Sequence, residues 1–108
     1  MNKYRIIFSP TGGTEKVANA ITKFWNEVKD IDLSKTNLDF SRISLTEEDI
    51  AVIAMPSFGG VAPQLALDRL AKMEGNQCKC VIVAVYGNRA LRIRLYRWKI
   101  MLLKQGFM

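Results

Sequence analysis

The residues Ser9-Pro10-Thr11-Gly12-Gly13-Thr14, which follow the apolar run Tyr4-Arg5-Ile6-Ile7-Phe8, decide how this chain is expected to fold. The run has the composition of a short buried strand, and the residues after the loop repeat apolar side chains at helical spacing. The glycines tolerate positive φ and leave several backbone N–H groups open, while the following helix contributes its positive end. A loop of this kind, rich in hydroxyls and placed between a strand and a helix, is typical of a phosphate-binding turn.

Other phosphate motifs do not match the loop. The nucleotide-triphosphate loop needs a Gly-Lys-Ser/Thr ending, whereas Thr14-Glu15-Lys16 follows the glycines here. The dinucleotide fingerprint needs three spaced glycines, but Gly12 and Gly13 are adjacent. The loop carries no Lys or Arg, which suits a bound cofactor monoester better than a transferable triphosphate. An ordinary turn with Thr14 as helix N-cap stays open as the alternative.

Strands and helices are predicted to alternate along the rest of the chain. Strands are expected at residues 4–8, 49–55 and 78–86, and helices at 15–28, 65–73 and 91–105; residues 30–42 would form an edge strand or a loop. Continuous apolar strands separated by helices indicate a parallel sheet covered on both faces. Ligands of such sheets bind beyond the carboxyl ends of the strands, which selects the loops at 9–14, 56–62 and 86–90.

Composition predicts one globular domain over residues 1–108. No apolar stretch is long enough to span a membrane and no signal peptide is recognisable, so we expect a cytoplasmic protein without membrane contact. The chain has no histidine, which excludes Ser-His and His-metal chemistry. Cys78 and Cys80 lie two residues apart in a strand-like run, and we interpret them as buried, inert thiols facing one side of the sheet.

The net charge of +6 is confined to one region. Residues 1–74 carry nine basic and ten acidic side chains, whereas residues 75–108 carry seven basic and no acidic ones. A basic C-terminal helix is able to meet nucleic acid or an anionic membrane. A solvated helix face is the commoner meaning of such a charge run, so a nucleic-acid partner is not expected.

The three loops resemble those of the flavodoxin family over residues 4 to about 90. Ser9-x-Thr11-Gly12-x-Thr14 matches the family's phosphate loop, Pro56-Ser57-Phe58-Gly59-Gly60 resembles the second loop, and Tyr86-Gly87-Asn88-Arg89 resembles the third. The sequences of these loops are closest to those of the flavodoxin-like domains that are fused to ferredoxin modules. The resemblance implies an FMN-binding three-layer α/β sandwich. The phosphate would contact the first loop, including Gly13, while Phe58 and Tyr86 would flank the flavin ring.

The C-terminal part departs from the family pattern. Flavodoxins have a fifth strand and a closing helix, whereas this chain ends after the helix predicted at 91–105, so we expect a sheet of order 2-1-3-4 with the fifth strand missing. Leu91-Arg92-Ile93-Arg94 also replaces the aromatic and acidic residues usual in the family. An exposed fourth strand, together with a poorly covered Phe24, Trp25 and Val28, predicts a homodimer formed across that strand or the first helix.

The resemblance implies an electron-transfer protein that works with a redox partner, for instance an iron–sulfur protein. In that function FMN supplies the redox chemistry and no catalytic side chain is needed. Two alternatives stay open: a flavin-dependent NAD(P)H reductase, and a truncated domain that no longer binds flavin and acts by association.

Overall fold

The computed structural model describes residues 2–9, 12–35, 38–56, 63–86 and 90–103. The described chain contains a five-stranded sheet with helices against both faces. The strands are β1 (Lys3–Ile7), β2 (Val28–Asp32), β3 (Ile50–Pro56), β4 (Lys79–Tyr86) and β5 (Ala90–Arg97). The helices are α1 (Gly13–Ile21), α2 (Gln64–Lys72) and α3 (Trp98–Leu103), and a short 3-10 turn spans Phe40–Arg42.

The sheet has the strand order β2-β1-β3-β4-β5. The first four strands run parallel, with Lys3 of β1 opposite both Val28 and Ile50, whereas β5 is antiparallel to β4. The prediction of a mainly parallel sheet with the order 2-1-3-4 is therefore confirmed for the first four strands.

Side chains on the two faces of the sheet form separate cores. Ile6, Ile53 and Ile82 point to the face covered by α2 and α3, where they pack with Leu70 and Trp98. Their strand neighbours Ile7, Val52 and Val83 point to the opposite face, where they pack with Ala18 of α1. Helices therefore cover both faces, as the continuous apolar strands predicted.

Helix α1 is shorter than predicted, because it ends at Ile21 instead of continuing to Val28. The backbone N–H and the hydroxyl of Thr22 both donate to the carbonyl of Ala18, at 3.0 and 2.9 Å. Glu27 then adopts a left-handed φ of 55°, which turns the chain into β2. The apolar spacing continues past Ile21, but Val28 belongs to the parallel ladder with β1.

The helix predicted over residues 91–105 is wrong for residues 91–97 and confirmed for residues 98–103, while residues 104 and 105 lie outside the described chain. Residues 90–97 form β5, whose ladder with β4 extends from Tyr86–Ala90 to Lys79–Arg97, and the helix α3 follows over Trp98–Leu103. The segment Leu91-Arg92-Ile93-Arg94-Leu95 alternates apolar and basic residues, the period expected of a strand. Pairing also satisfies the backbone groups along the outer edge of β4, which an adjacent helix would leave unpaired.

The fifth strand is thus present, and the prediction that it is missing is overturned. Because β4 is paired on both sides, dimerisation across strand 4 loses its structural basis. The residues for which the prediction expected poor cover on the first helix lie beyond its end at Ile21: Phe24 is 86% exposed, whereas Trp25 is partly buried against the α1-side core.

Helix α3 is fixed to the α2 side of the sheet by Trp98. Its side chain is 4% exposed, and its backbone N–H donates to the carbonyl of Cys78 at 3.0 Å. Gly75 lies directly under the indole: a Cβ built on Gly75 would stand 1.9 Å from two of its ring carbons. The side chain of residue 75 must therefore be a single hydrogen for the ring to occupy this place.

Candidate functional site

The candidate site lies where β1 and β3 end. The two strands are adjacent and parallel, and the N–H of Phe8 extends their pairing by donating to the carbonyl of Ala54 at 3.0 Å. The chain leaves β1 for α1 on one face and leaves β3 for α2 on the opposite face. In open α/β sheets, ligands bind in a crevice beyond the carboxyl ends of two such neighbouring strands.

The first loop joins helix α1 through a left-handed glycine. Gly12 is the N-cap residue of α1 with φ 88°, and no side chain caps the helix at this position. Its N–H donates to the carbonyl of Ser9 at 3.4 Å, and its own carbonyl accepts from Lys16 at 3.3 Å. Thr14 is the second residue of the helix, so the alternative interpretation with Thr14 as N-cap is wrong.

Ser9 ties the end of β1 to the first turn of α1. Its Oγ accepts a hydrogen bond from the N–H of Glu15 at 3.0 Å. The hydroxyl proton of Ser9 can still be donated, because a hydroxyl accepts and donates at once. This hydrogen bond holds the loop against the helix, and the Ser9 hydroxyl can still donate its proton to a ligand.

Thr14 carries a polar group that the described chain leaves unsatisfied. Its side chain is only 5% exposed, yet its hydroxyl has no hydrogen-bond partner among the residues that the structure describes. Buried hydroxyls normally have one, since leaving them unpaired costs about 1–3 kcal/mol. Around Gly12 and Gly13 there is also space, because no atom of the described chain lies within 4 Å of a Cβ added at either position. The described residues of the loop thus leave the Thr14 hydroxyl without a partner among themselves and open space beside Gly12 and Gly13.

Most of the other predicted site residues lie outside the described part of the chain. These are Thr11, Ser57, Phe58, Gly59, Gly60, Gly87, Asn88 and Arg89. Tyr86 ends β4 at the same edge of the sheet as Ile7 and Pro56, so the structure brings the strands before all three predicted loops together.

A polar groove beside the loop was missed by the sequence analysis. It encloses about 510 Å³ over β1 and β2, and Ser9, Glu15, Asp32 and Lys35 contribute to its lining. At its centre Arg5 binds Asp30 in a bidentate pair, with Nε–Oδ1 2.5 Å and Nη2–Oδ2 3.0 Å. In the sequence, this groove is indicated by Arg5, a charged residue within the apolar run Tyr4–Phe8.

A further N–H donor of Arg5 also forms a hydrogen bond. Its Nη1 donates to the hydroxyl of Thr22 at 3.1 Å, and the hydrogen bond to Asp30 raises the pKa of Arg5 above its ordinary value despite partial burial. Lys35 is the other cation of the groove, and no carboxylate of the described chain pairs with it. The groove is therefore charged but nearly balanced.

Cys78 and Cys80 are both fully buried and face the same side of the sheet, as predicted. Their sulfur atoms are 3.8 Å apart, and both thiols are reduced. The hydrogen bond to Cys78, together with burial, raises the pKa of the Cys80 thiol. No group of three or more potential metal ligands occurs within the described ranges.

Comparison with known protein families, with curated proteins and with solved structures gives no match. In the described part of the chain, no helix has both the length and the apolar character needed to cross a membrane.

Proposed function

We propose that this protein binds FMN at the carboxyl edge of its sheet and transfers electrons to and from a redox partner. The observation that carries the proposal is the position of the first loop. It lies at the point where the sheet order 2-1-3-4-5 reverses between β1 and β3. In doubly wound sheets with this order, FMN binds at the β1/β3 switch point.

The residues of the first loop fit a phosphate monoester. The Thr14 hydroxyl lacks a partner in the described chain, and the N–H groups of Gly13 and Thr14, in the first turn of α1, have no acceptor among the described residues either. A dianionic phosphate accepts from several such donors at once and gains from the positive end of the nine-residue helix α1. Ser9 and Thr11 would add hydroxyl donors on the resemblance to flavodoxins.

The ring sites are assigned by the resemblance alone. Phe58 and Tyr86 would flank the isoalloxazine, the Gly59-Gly60 peptide would face its N5 edge, and Asn88 and Arg89 would line the pyrimidine side. Bound FMN would supply the one- and two-electron redox chemistry. The chain's own residues would bind the phosphate, hold the ring and shield it from water.

The fold supports this assignment with one departure. Strand order, the helices on opposite faces and the left-handed glycine at the start of α1 are all compatible with a flavodoxin-like domain. The antiparallel β5 departs from that pattern, because a doubly wound sheet would continue in parallel. The departure lies at β5, which is two strands away from the β1/β3 crevice.

A flavin titration tests the proposal. FMN should bind with a perturbed absorption spectrum, and riboflavin should bind at least about tenfold more weakly because it lacks the phosphate. Thr14→Val, which removes the hydroxyl at constant size, should weaken FMN binding by about tenfold and leave riboflavin unchanged. Ser41→Ala, an exposed position in the 3-10 turn, is the matched control.

Equal affinity for FMN and riboflavin would refute the phosphate site, and no spectral change with either flavin would refute flavin binding. Bleaching of the bound flavin by NAD(P)H alone would instead support the reductase alternative.

A further inference from the structure

The β4–β5 strip is an apolar surface on the α1 side of the sheet, formed by Val81, Val85, Ile93 and Leu95. Val81 and Val85 pack against the edge of the α1-side core. Leu95 lies directly opposite Val81, and Ile93 lies opposite Val83, so both face the same side as these valines. Ile93 is 52% exposed and Leu95 is 66% exposed. These two neighbouring side chains present a continuous apolar surface to solvent.

The strip is exposed because α1 does not reach it. Helix α1 packs on β1, β3 and β4, and β5 lies one strand further out. The other uncovered flank, over β1 and β2, carries Arg5, Asp30 and Asp32, which suit contact with water. The sheet is open to solvent on both sides of α1, but the surface is polar on one side and apolar on the other. Exposure alone therefore does not explain the apolar residues of β5.

A pair of like charges marks one end of the strip. Lys79 and Arg97 are directly opposite each other across β4 and β5, and strand alternation places both on the face of Val81 and Leu95. Arg97 donates to the carbonyl of Gln77 at 3.2 Å, and no carboxylate of the described chain pairs with either cation. Like charges at directly opposite positions destabilise a strand pair unless an anion lies between them.

From the strip and this cation pair, we propose that the α1 side of β4–β5 binds an amphipathic helix of a partner protein whose apolar face is followed by carboxylates at one end. The apolar residues would cover Ile93 and Leu95, and the carboxylates would contact Lys79 and Arg97. Two strands spaced about 4.8 Å apart provide the width of one helix of about 10 Å diameter. The bound helix would extend the layer that α1 begins.

Charge makes a second copy of the chain a poor occupant. In a two-fold symmetric contact the partner surface is the same strip, which carries no carboxylate because residues 75–108 contain no acidic side chain. The cations of Lys79 and Arg97 would therefore stay unpaired against the strip of a second copy, whereas an acidic helix supplies carboxylates to them.

A designed peptide provides the direct test. The probe is a fluorescently labelled 16-residue helical peptide with leucines on one face and glutamates elsewhere, and its matched control has lysine at every glutamate position. Fluorescence anisotropy should show saturable binding of the glutamate peptide and at least about tenfold weaker binding of the lysine peptide. Leu95→Ser should weaken binding about tenfold, from loss of a buried leucine. Lys79→Gln with Arg97→Gln should weaken binding and remove most of its salt dependence.

Leu65→Ser is the matched control, because Leu65 is 49% exposed on α2, on the other side of the sheet. It should leave peptide binding unchanged. Equal binding of the glutamate and lysine peptides, or equal losses for Leu65→Ser and Leu95→Ser, would overturn the proposal. Sedimentation showing a dimer that Leu95→Ser dissociates would also overturn it, in favour of a second copy. Ile93→Thr should repeat the effect of Leu95→Ser and guards against a local folding defect.

Discussion

The two faces of the sheet differ in the size of their buried cores. We call the face under α2 and α3 the deep face and the face under α1 the shallow face. Within the described chain, the face under α2 and α3 carries a core cluster of nineteen buried residues, whereas the face under α1 carries one of five. The same strands contribute to both faces. The consecutive residues Val52 and Ile53 of β3 point to opposite faces and are equally buried. The difference therefore comes from the helices. Among the described residues, one face is covered by two helices and the long connection around Phe40 and Leu45, while the other face is covered by α1 alone.

This difference separates stability from binding. The deep face supplies most of the buried apolar surface, and hence most of the hydrophobic stabilisation. The shallow face leaves open surface on both sides of α1, where the polar groove and the β4–β5 strip lie. Four predictions test whether the faces divide in this way.

The largest effect is expected at Gly75 on the deep face. Gly75→Ala should lower the free energy of unfolding by about 4 kcal/mol or more, because its Cβ would displace the Trp98 ring and undo the packing of α3. Gly13→Ala is the matched control, since space is open around it and its φ is not left-handed. Urea unfolding measures both. A Gly75→Ala protein as stable as Gly13→Ala would show that Trp98 does not anchor α3.

Core truncations compare the two faces directly. Leu70→Ala, on the deep face and fully buried, should cost about 2–4 kcal/mol of unfolding free energy. Ile21→Ala, partly buried on the shallow face, should cost about 1 kcal/mol, because solvent already reaches part of its side chain. Equal losses in urea unfolding would contradict the division between the faces.

Acid sensitivity should come from Asp49, at the start of β3. Burial acts to raise the pKa of its carboxyl, but the N–H groups of Asn2 and Thr46 donate to it at 2.8 Å each and hold the pKa below its ordinary value. Because the native pKa is lowered, the ionised carboxylate of Asp49 stabilises the folded protein. This stabilisation is complete above the unfolded pKa of about 3.9 and is lost as pH falls through the native pKa. Asp49→Asn should cost about 1–2 kcal/mol at pH 7, and its stability should fall less than that of the wild type below pH 4.

If the two proteins lose stability in parallel below pH 4, another carboxyl group causes the acid sensitivity. Asp39→Asn, at an exposed cap of the 3-10 turn, is the control and should keep the wild-type pH profile.

The smallest effect is expected in the polar groove of the shallow face. Asp30→Asn removes the ion pair with Arg5, but Asp30 is 59% exposed at its side chain, so the loss should stay below about 1 kcal/mol. The difference from wild type should shrink further in 0.5 M salt. A loss above 2 kcal/mol in urea unfolding would mean that the groove is part of the stabilising core.

Strands β1, β3 and β4 could be predicted because their signals were local, whereas β2 (Val28–Asp32) was expected only as an edge strand or a loop within residues 30–42. Ile6, Ile53 and Ile82 lie in continuous apolar runs, and such runs indicate strands buried on both faces. The connections through α1 and α2 followed from the glycines and prolines at their starts. Helix α1 was extended too far because the apolar spacing continues through Val28, while its end depends on Thr22 and on the pairing of Val28 with β1.

The C-terminal segment was mispredicted because two periodicities coincide there. Leu91, Leu95, Trp98 and Leu102 repeat at helical spacing, but Leu91, Ile93 and Leu95 also alternate with polar neighbours. The free edge of β4 decides between them, and that edge exists only once the sheet has formed. At the candidate site, the glycine-rich loop was visible in the sequence, whereas the burial of Thr14 and the Arg5–Asp30 groove depend on the packed positions of α1 and β2.

The two tryptophans of the chain stand on opposite faces of the sheet, with Trp98 deep under α3 and Trp25 half-buried beside α1. The Nζ of Lys3 lies 6.0 Å from the Trp25 ring, while Trp98 is surrounded by apolar groups. Their indole emission should therefore differ in colour, with Trp98 at the shorter wavelength. Replacing one tryptophan at a time by phenylalanine would give a separate optical signal for each face, so that the order in which the two faces open during unfolding can be followed without an added label.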